Sequence, residues 1–228
     1  MVTFSLGSGK SETTKIILNY LAKIGSFSNA NNRTSTLADF QNLNMSGGHV
    51  QSRILQTNII LESLGNARTV RNDNSSRFGK LIQLLFHSGG KLEGACVETY
   101  LLELTRVVQQ RETERNFHIF YMLLTETDIA RRKSLHLEAP SSYQYLLQSS
   151  SEEGGRGCFE RRDGVSDADL YVGFIQALKI LSADEGTVHD MLAALTAVLT
   201  VGNFHCLTMT SADGDTIVEQ TPEANQCL

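Results

Sequence analysis

The chain has 228 residues, 41% of them apolar, enough to bury a core in one large domain or two small ones. Its formal net charge of −5, from 20 basic and 25 acidic residues, argues against nucleic acid or an anionic membrane as the main partner, so any phosphate must be met locally by backbone amides and a few cations. Cys96, Cys158, Cys206 and Cys227 form no CxxC pair and read as reduced cytosolic thiols, no basic-then-apolar leader is read at the start, and the most apolar stretch, residues 191–201, is too short to span a bilayer.

In chain order, Met1–Ser5 has room for a short strand only, and Gly7-Ser8-Gly9-Lys10-Ser11-Glu12 follows. A phosphate-binding loop normally follows a buried strand, so the reading expects sequence upstream of Met1. Ser11–Ile24 is predicted helical, with Ile17, Tyr20, Leu21 and Ile24 on one face. Residues 25–48, rich in Ser, Asn and Thr, read as a surface loop. Val50–Leu64 is a second predicted helix, stopped by Gly65-Asn66. Leu81–Phe86 is a nearly continuous apolar run of buried-strand length, Gly89-Gly90 makes a turn, and Ala95–Leu102 fits a second strand. Phe117, Phe120, Tyr121 and Leu124 form a helical stripe, and residues 151–157 a Gly- and Glu-rich loop. Ser166, with Asp169 three residues on, starts a helix in the manner of a capping box. Leu170, Phe174, Ala177, Leu178 and Leu181 share its apolar face, and Val188, Leu192, Leu195 and Leu199 form a further stripe; both read as core. The six histidines show no metal-ligand spacing, while Glu152-Glu153 and Arg131-Arg132-Lys133 read as solvated loop charges.

Two runs carry chemistry. In Gly7–Ser11, glycines let backbone N–H groups curl around a phosphate, and the following helix adds its positive end. Lys10 can reach the β- and γ-phosphates, and the Ser11 hydroxyl can ligate Mg2+. The full pattern, G-x-x-x-x-G-K-[ST], is met at Gly9-Lys10-Ser11, but Phe4 occupies its first glycine position. A chance match at a helix start is the alternative. The second run is Asn72-Asp73-Asn74-Ser75-Ser76-Arg77-Phe78-Gly79-Lys80, beside strand-like apolar sequence. Its hydroxyls can ligate Mg2+ or orient a water, and its amides can donate to phosphate; a polar turn with Arg77 in a structural ion pair is the alternative. Together the runs suggest two walls of a nucleoside triphosphate site.

These segments resemble a myosin motor domain. Gly7–Glu12 with Thr13-Thr14-Lys15 resembles the end of the family's GESGAGKTE loop. Leu55–Lys80, LQTNIILESLGNARTVRNDNSSRFGK, resembles the segment leading into myosin switch I, and Val97–Val108, VETYLLELTRVV, the strand that follows. Glu114–Leu124, ERNFHIFYMLL, resembles the family's ERNYHIFYQLL helix, and residues 163–167 and 201–204 match upper-cleft positions. The match is collinear over the whole chain, with NDNSSRFGK its most specific part.

The resemblance implies an α/β fold: a P-loop NTPase-like partial central sheet with flanking helices, followed by a mainly helical subdomain. Residues 1–125 would belong to the nucleotide-binding core and 126–228 to an upper-cleft helical region of one incomplete motor domain. The amides of Gly7, Ser8 and Gly9 would cradle phosphate in a nucleotide-binding loop running on to Glu12, and Lys10 would contact the β- and γ-phosphates. Ser11 and Ser76 would hold Mg2+, Asn72 would touch the phosphates, and Ser75 would help position the attacking water. Arg77 in the family pairs with a glutamate of switch II. The implied function is an ATP-hydrolysing, actin-based motor of the cytoplasm and cytoskeleton, with light chains engaged only through regions outside this chain. No DxxxGFE-like switch II run is found in residues 184–228, so the reading expects a piece of a motor, with exposed sheet edges and poor independent folding. A non-catalytic nucleotide-binding or interaction module derived from a motor is the second reading. An unrelated P-loop kinase or GTPase is the third, and it predicts a base-reading motif and a Walker-B-type acidic strand end, neither of which is evident.

Overall fold

A computed structural model describes residues 13–14, 16–17, 20–21, 48–88, 92–111, 113–147, 161–204, 206–210 and 216–220. Met1–Ser5, the Gly7–Glu12 run, Gly89-Gly90 and the loops at 25–47 and 151–157 lie outside them. The described residues of the first predicted helix are helical, but Ile17 and Tyr20, placed on its apolar face, are exposed.

Helix α1 (Gly48–Gly65) ends where Gly65 was predicted to stop it. A Cβ at Gly65 would collide with the Phe78 ring, so glycine allows the helix end and the later strand to meet. The chain then enters β1 (Asn66–Ala67), which pairs antiparallel with β2 (Ser75–Ser76), Asn66 opposite Ser76 and Ala67 opposite Ser75. These two-residue strands carry no periodicity of their own and were not predicted.

Strands β3 (Gly79–Phe86) and β4 (Leu92–Tyr100) form an antiparallel hairpin, with Leu81 opposite Glu98 and Ile82 opposite Val97. The expectation of a buried strand at 81–86 is corrected. Ile82 and Leu84 pack with Val50, Ile54, Leu92 and Ala95 against α1, while Leu81, Leu85 and Phe86 are exposed. The run is apolar on both faces, so its sequence gave no alternation to mark which face is covered.

The main core lies in the second half. Short helices α2 (Thr105–Val108), α3 (His118–Leu124) and α4 (Ile129–Ser134) are followed by a 3-10 turn (Pro140–Ser142) and α5 (Gln144–Leu147), and then by the long α6 (Asp167–Ile180) and α7 (Glu185–Val201). Every residue of α3 is buried, not only the predicted stripe. It packs with Tyr171, Phe174 and Leu178 of α6 and Val188, Leu192 and Leu199 of α7. Ser166 caps α6 by accepting from the Asp169 N–H, as its position implied. The Arg131-Arg132-Lys133 run is not a loop: it forms the last turn of α4. There Arg131 pairs with Glu126 at 3.1 Å and Arg132 donates to the carbonyls of Leu124 and Glu126, each at 3.0 Å, because helix geometry aims these side chains back at a turn rich in free carbonyls. A third antiparallel pair, β5 (Cys206–Thr210) with β6 (Thr216–Gln220), follows the helices.

Candidate functional site

The polar run at 72–80 forms one arm of a small hairpin. β1 and β2 are its legs and residues 68–74 its tip. Thr69 closes the tip: its N–H donates to the Asn72 carbonyl at 2.8 Å, and the Asn72 N–H donates to Thr69 Oγ1 at 3.2 Å. Asn72 Oδ1 accepts the Asn74 N–H at 2.9 Å, an Asx turn that holds the tip open to solvent. Arg68 pairs with Asp73 at 3.5 Å.

The residue types of the run now separate by role. Asn72 and Ser76 are exposed, and Ser75 is half-buried. Asn74 turns inward instead, its Oδ1 3.0 Å from Asn66 Nδ2 and 3.2 Å from His118 Nε2. Arg77 reads back along the strand, donating to Ser75 Oγ at 3.1 Å. The backbone locks this arm to its neighbours, with Arg77 N–H donating to the Gly65 carbonyl at 2.8 Å and Glu103 N–H donating to the Arg77 carbonyl at 3.0 Å.

Arg77 has an ion partner within the chain that sequence reasoning did not name. Its Nε donates to Glu103 Oε2 at 2.7 Å, and Arg106 Nε donates to the same oxygen at 2.7 Å. Burial alone would raise the Glu103 pKa; hydrogen bonds from Arg77 and then Arg106 outweigh it and hold the carboxyl below its ordinary range. Arg106 continues to Glu114 Oε2 at 2.9 Å, and Glu114 Oε1 accepts the Val70 N–H at 3.3 Å. The contacts run from Ser75 through Arg77, Glu103, Arg106 and Glu114 to the far side of the hairpin tip. Glu103 reaches Arg77 because Leu101, at φ 56, turns the chain sharply after β4.

Behind the hairpin, Arg115 is fully buried, 2.6 Å from Asp167 and 3.8 Å above the Tyr121 ring. His118 lies among Asn74, Arg161 and Arg115. Desolvation first, then the positive charges of Arg161 and Arg115, lower its pKa to about 3, with Asp163 opposing, so its imidazole is neutral. These residues were missed because Arg115 stands in a charged run that reads as solvated and His118 is a lone polar side chain at the head of an apolar stretch; the ERNFH string signalled them only as part of a longer match.

The structure therefore places Asn72 in the hairpin tip and Ser75, Ser76 and Arg77 on the arm that follows it. Gly7, Ser8, Gly9, Lys10, Ser11 and Glu12 lie outside the described residues. Among the described residues no cluster of metal-ligating side chains occurs, and no helix is long and apolar enough to cross a membrane. A groove of about 700 Å³ between α4 and α7, lined by His136, Tyr143, Thr196, Thr200 and Phe204, lies apart from the hairpin.

Comparison with known proteins shows the family. The family model for the myosin head (motor domain) matches residues 1–227. Myosin-3 of Arabidopsis thaliana is 39% identical over 217 residues, covering 95% of this chain and 16% of the relative. Myosin IA heavy chain of Dictyostelium discoideum is 37% identical, covering 94% of this chain and 19% of its own length. Myosin type-2 heavy chain 1 of Schizosaccharomyces pombe is 40% identical over 204 residues, covering 89% of this chain and 12% of its own length. The chain thus spans less than a fifth of these relatives, at 16%, 19% and 12%. With the family model covering residues 1–227 and the hairpin carrying NDNSSRFGK in ordered form, the chain belongs to the myosin head (motor domain) family.

Proposed function

We propose that the chain supplies two walls of a Mg-ATP site in an actin-based motor, on a P-loop NTPase-like core. The observation that carries the reading is the division of labour in the hairpin. Asn74 is spent inward, whereas Asn72 and Ser76 face solvent and Ser75 is held by Arg77. The Arg77–Glu103 pair is one that a purely structural polar turn would also make; what favours a ligand is the exposed Asn72 amide and Ser76 hydroxyl beside it, taken with the family match.

In this reading Asn72 donates to the nucleotide phosphates, and Ser75 orients the attacking water for in-line displacement. The amides of Gly7, Ser8 and Gly9 cradle the phosphates, and Lys10 neutralises the β- and γ-oxygens. The Ser76 hydroxyl is an exposed hard oxygen donor that suits Mg2+, and Ser11 is its proposed partner. Mg2+, when bound, neutralises charge developing on the phosphoryl oxygens. Arg77, fixed by Glu103, sets the direction of the Ser75 hydroxyl. Actin is the proposed partner of the whole motor and the cytoskeleton its proposed location.

The test is Mg-ATP binding by the full chain, measured by titration calorimetry against Lys10→Ala. Loss of one charged phosphate contact is expected to weaken binding by about tenfold or more. Equal binding by both proteins would remove Lys10 from the site.

A further inference from the structure

Arg162 precedes α6 in the chain, yet its guanidinium lies across the hairpin tip. Its Nε donates to Asp73 Oδ1 at 3.0 Å, one terminal nitrogen to the Val70 carbonyl at 3.1 Å, and the other to the Thr69 carbonyl at 2.8 Å. All three acceptors belong to the turn that carries Asn72. The planar fork of an arginine can meet two carbonyls and a carboxylate at once; a lysine ammonium cannot reproduce that set in one geometry.

The segment bearing Arg162 is itself anchored. Arg161 pairs with Asp163 and approaches His118 Nε2 at 3.2 Å, Asp163 Oδ1 accepts the Val165 N–H at 3.2 Å, and Asp167 holds Arg115. Within the turn, Thr69 bonds to Asn72, and Asn72 to Asn74. The two ends of the tip are tied down by the Arg115 N–H, which donates to the Arg68 carbonyl at 3.1 Å, and by His118 at Asn74; between them, at residues 69–73, the Val70 N–H bond to Glu114 and the Arg162 fork reach the turn from distant segments. The Arg162 side chain is 41% exposed, so it is not a core support.

We propose that Arg162 is a positioning residue that straps the turn at Thr69–Asp73 to the start of α6, presenting the Asn72 side chain to the phosphates of a bound nucleoside triphosphate. The phosphate part rests on the proposed function above. Any shift of the α6 start is then passed to residues 69–73 through the Arg162 fork, beside the route from Arg161 through His118 to Asn74.

Two measurements on the full chain test this. The first is hydrogen exchange without nucleotide. In Arg162→Ala the amides of residues 69–74 should exchange about tenfold faster, with those of α3 unchanged. Unchanged exchange in the turn, or an equal rise in α3, overturns the strap. The second is Mg-ATP affinity. Arg162→Ala should weaken binding about five- to tenfold, and Arg162→Lys should recover part of the loss by restoring the Asp73 pair. In an Asn72→Ala background, removing Arg162 should change affinity by less than about twofold, because its effect acts through Asn72. Multiplicative losses overturn the positioning role. If the unaltered chain binds no Mg-ATP, the proposed function fails, and the exchange comparison alone decides the strap.

Discussion

Arg115 heads the fully buried side chains, with its guanidinium held by Asp167 and stacked on Tyr121. Removing one partner of a buried ion pair leaves the other charge stranded, so Arg115→Ala is expected to destabilise by about 3–5 kcal/mol in urea unfolding. A loss near zero would show that Asp167 finds another partner. His118 makes a pH prediction. Its folded-state pKa of about 3 lies below the ordinary 6.5, so between those values the unfolded chain binds more protons. The stability that neutral His118 contributes is fully present above pH 6.5 and lost as pH falls toward 3, with a slope of at most about 1.4 kcal/mol per pH unit. His118→Gln should flatten the stability curve across that window relative to the unaltered chain, and matching slopes would remove His118 from the linkage. Neither residue announced itself in the sequence, because an Arg in a charged run, or a His at the head of an apolar stretch, has the same letters whether it is solvated or buried. By contrast, Asn72, Ser75, Ser76 and Arg77 were legible as a group, since five small polar residues and an arginine ahead of a strand form an uncommon string.

At the scale of elements, the end of α1 meets the residue that leads into β3 at a close approach near the site. Gly65 faces the Phe78 ring where any side chain would overlap it. Gly65→Ala is therefore expected to cost about 1–3 kcal/mol by overpacking, and Phe78→Leu in the same chain should restore part of that loss. If Gly65→Ala alone is neutral by thermal unfolding, the ring has room to move. The spans of α1 and the start of α6 were predicted closely because each is long and periodic with a stop or cap at one end, Gly65 and Ser166; α7 was read only as the stripe Val188, Leu192, Leu195 and Leu199, and the structure adds its cap, Asp184. The short pieces β1 and β2 were not predicted, since two residues hold no period; only the register Asn66 to Ser76 across the turn makes them strands. Arg131–Lys133 were misplaced for a related reason: a charged run looks solvated until the carbonyls it serves are close in space.

For the whole molecule, burial is uneven. The α3–α6–α7 cluster is dry, while Leu81, Leu85, Phe86, Tyr100 and Leu102 of the β3–β4 hairpin and its exit are exposed. Of these, Leu81, Leu85 and Tyr100 share the open face of the hairpin, and exposed apolar groups on an open sheet favour association. The isolated chain is expected to self-associate as its concentration rises, and Leu85→Lys should reduce that in sedimentation velocity without lowering the unfolding midpoint. A monodisperse monomer at high concentration would overturn this expectation. The sequence by itself determined the family, the long helices and the identity of the hairpin's polar residues, because these are properties of strings and of local periodicity. Only the tertiary structure decided which of those residues face solvent, that Arg77 pairs with Glu103, and that Arg162 crosses to the turn at 69–73. Those choices depend on which distant segments come within hydrogen-bonding reach, and on which charges lose water when they do.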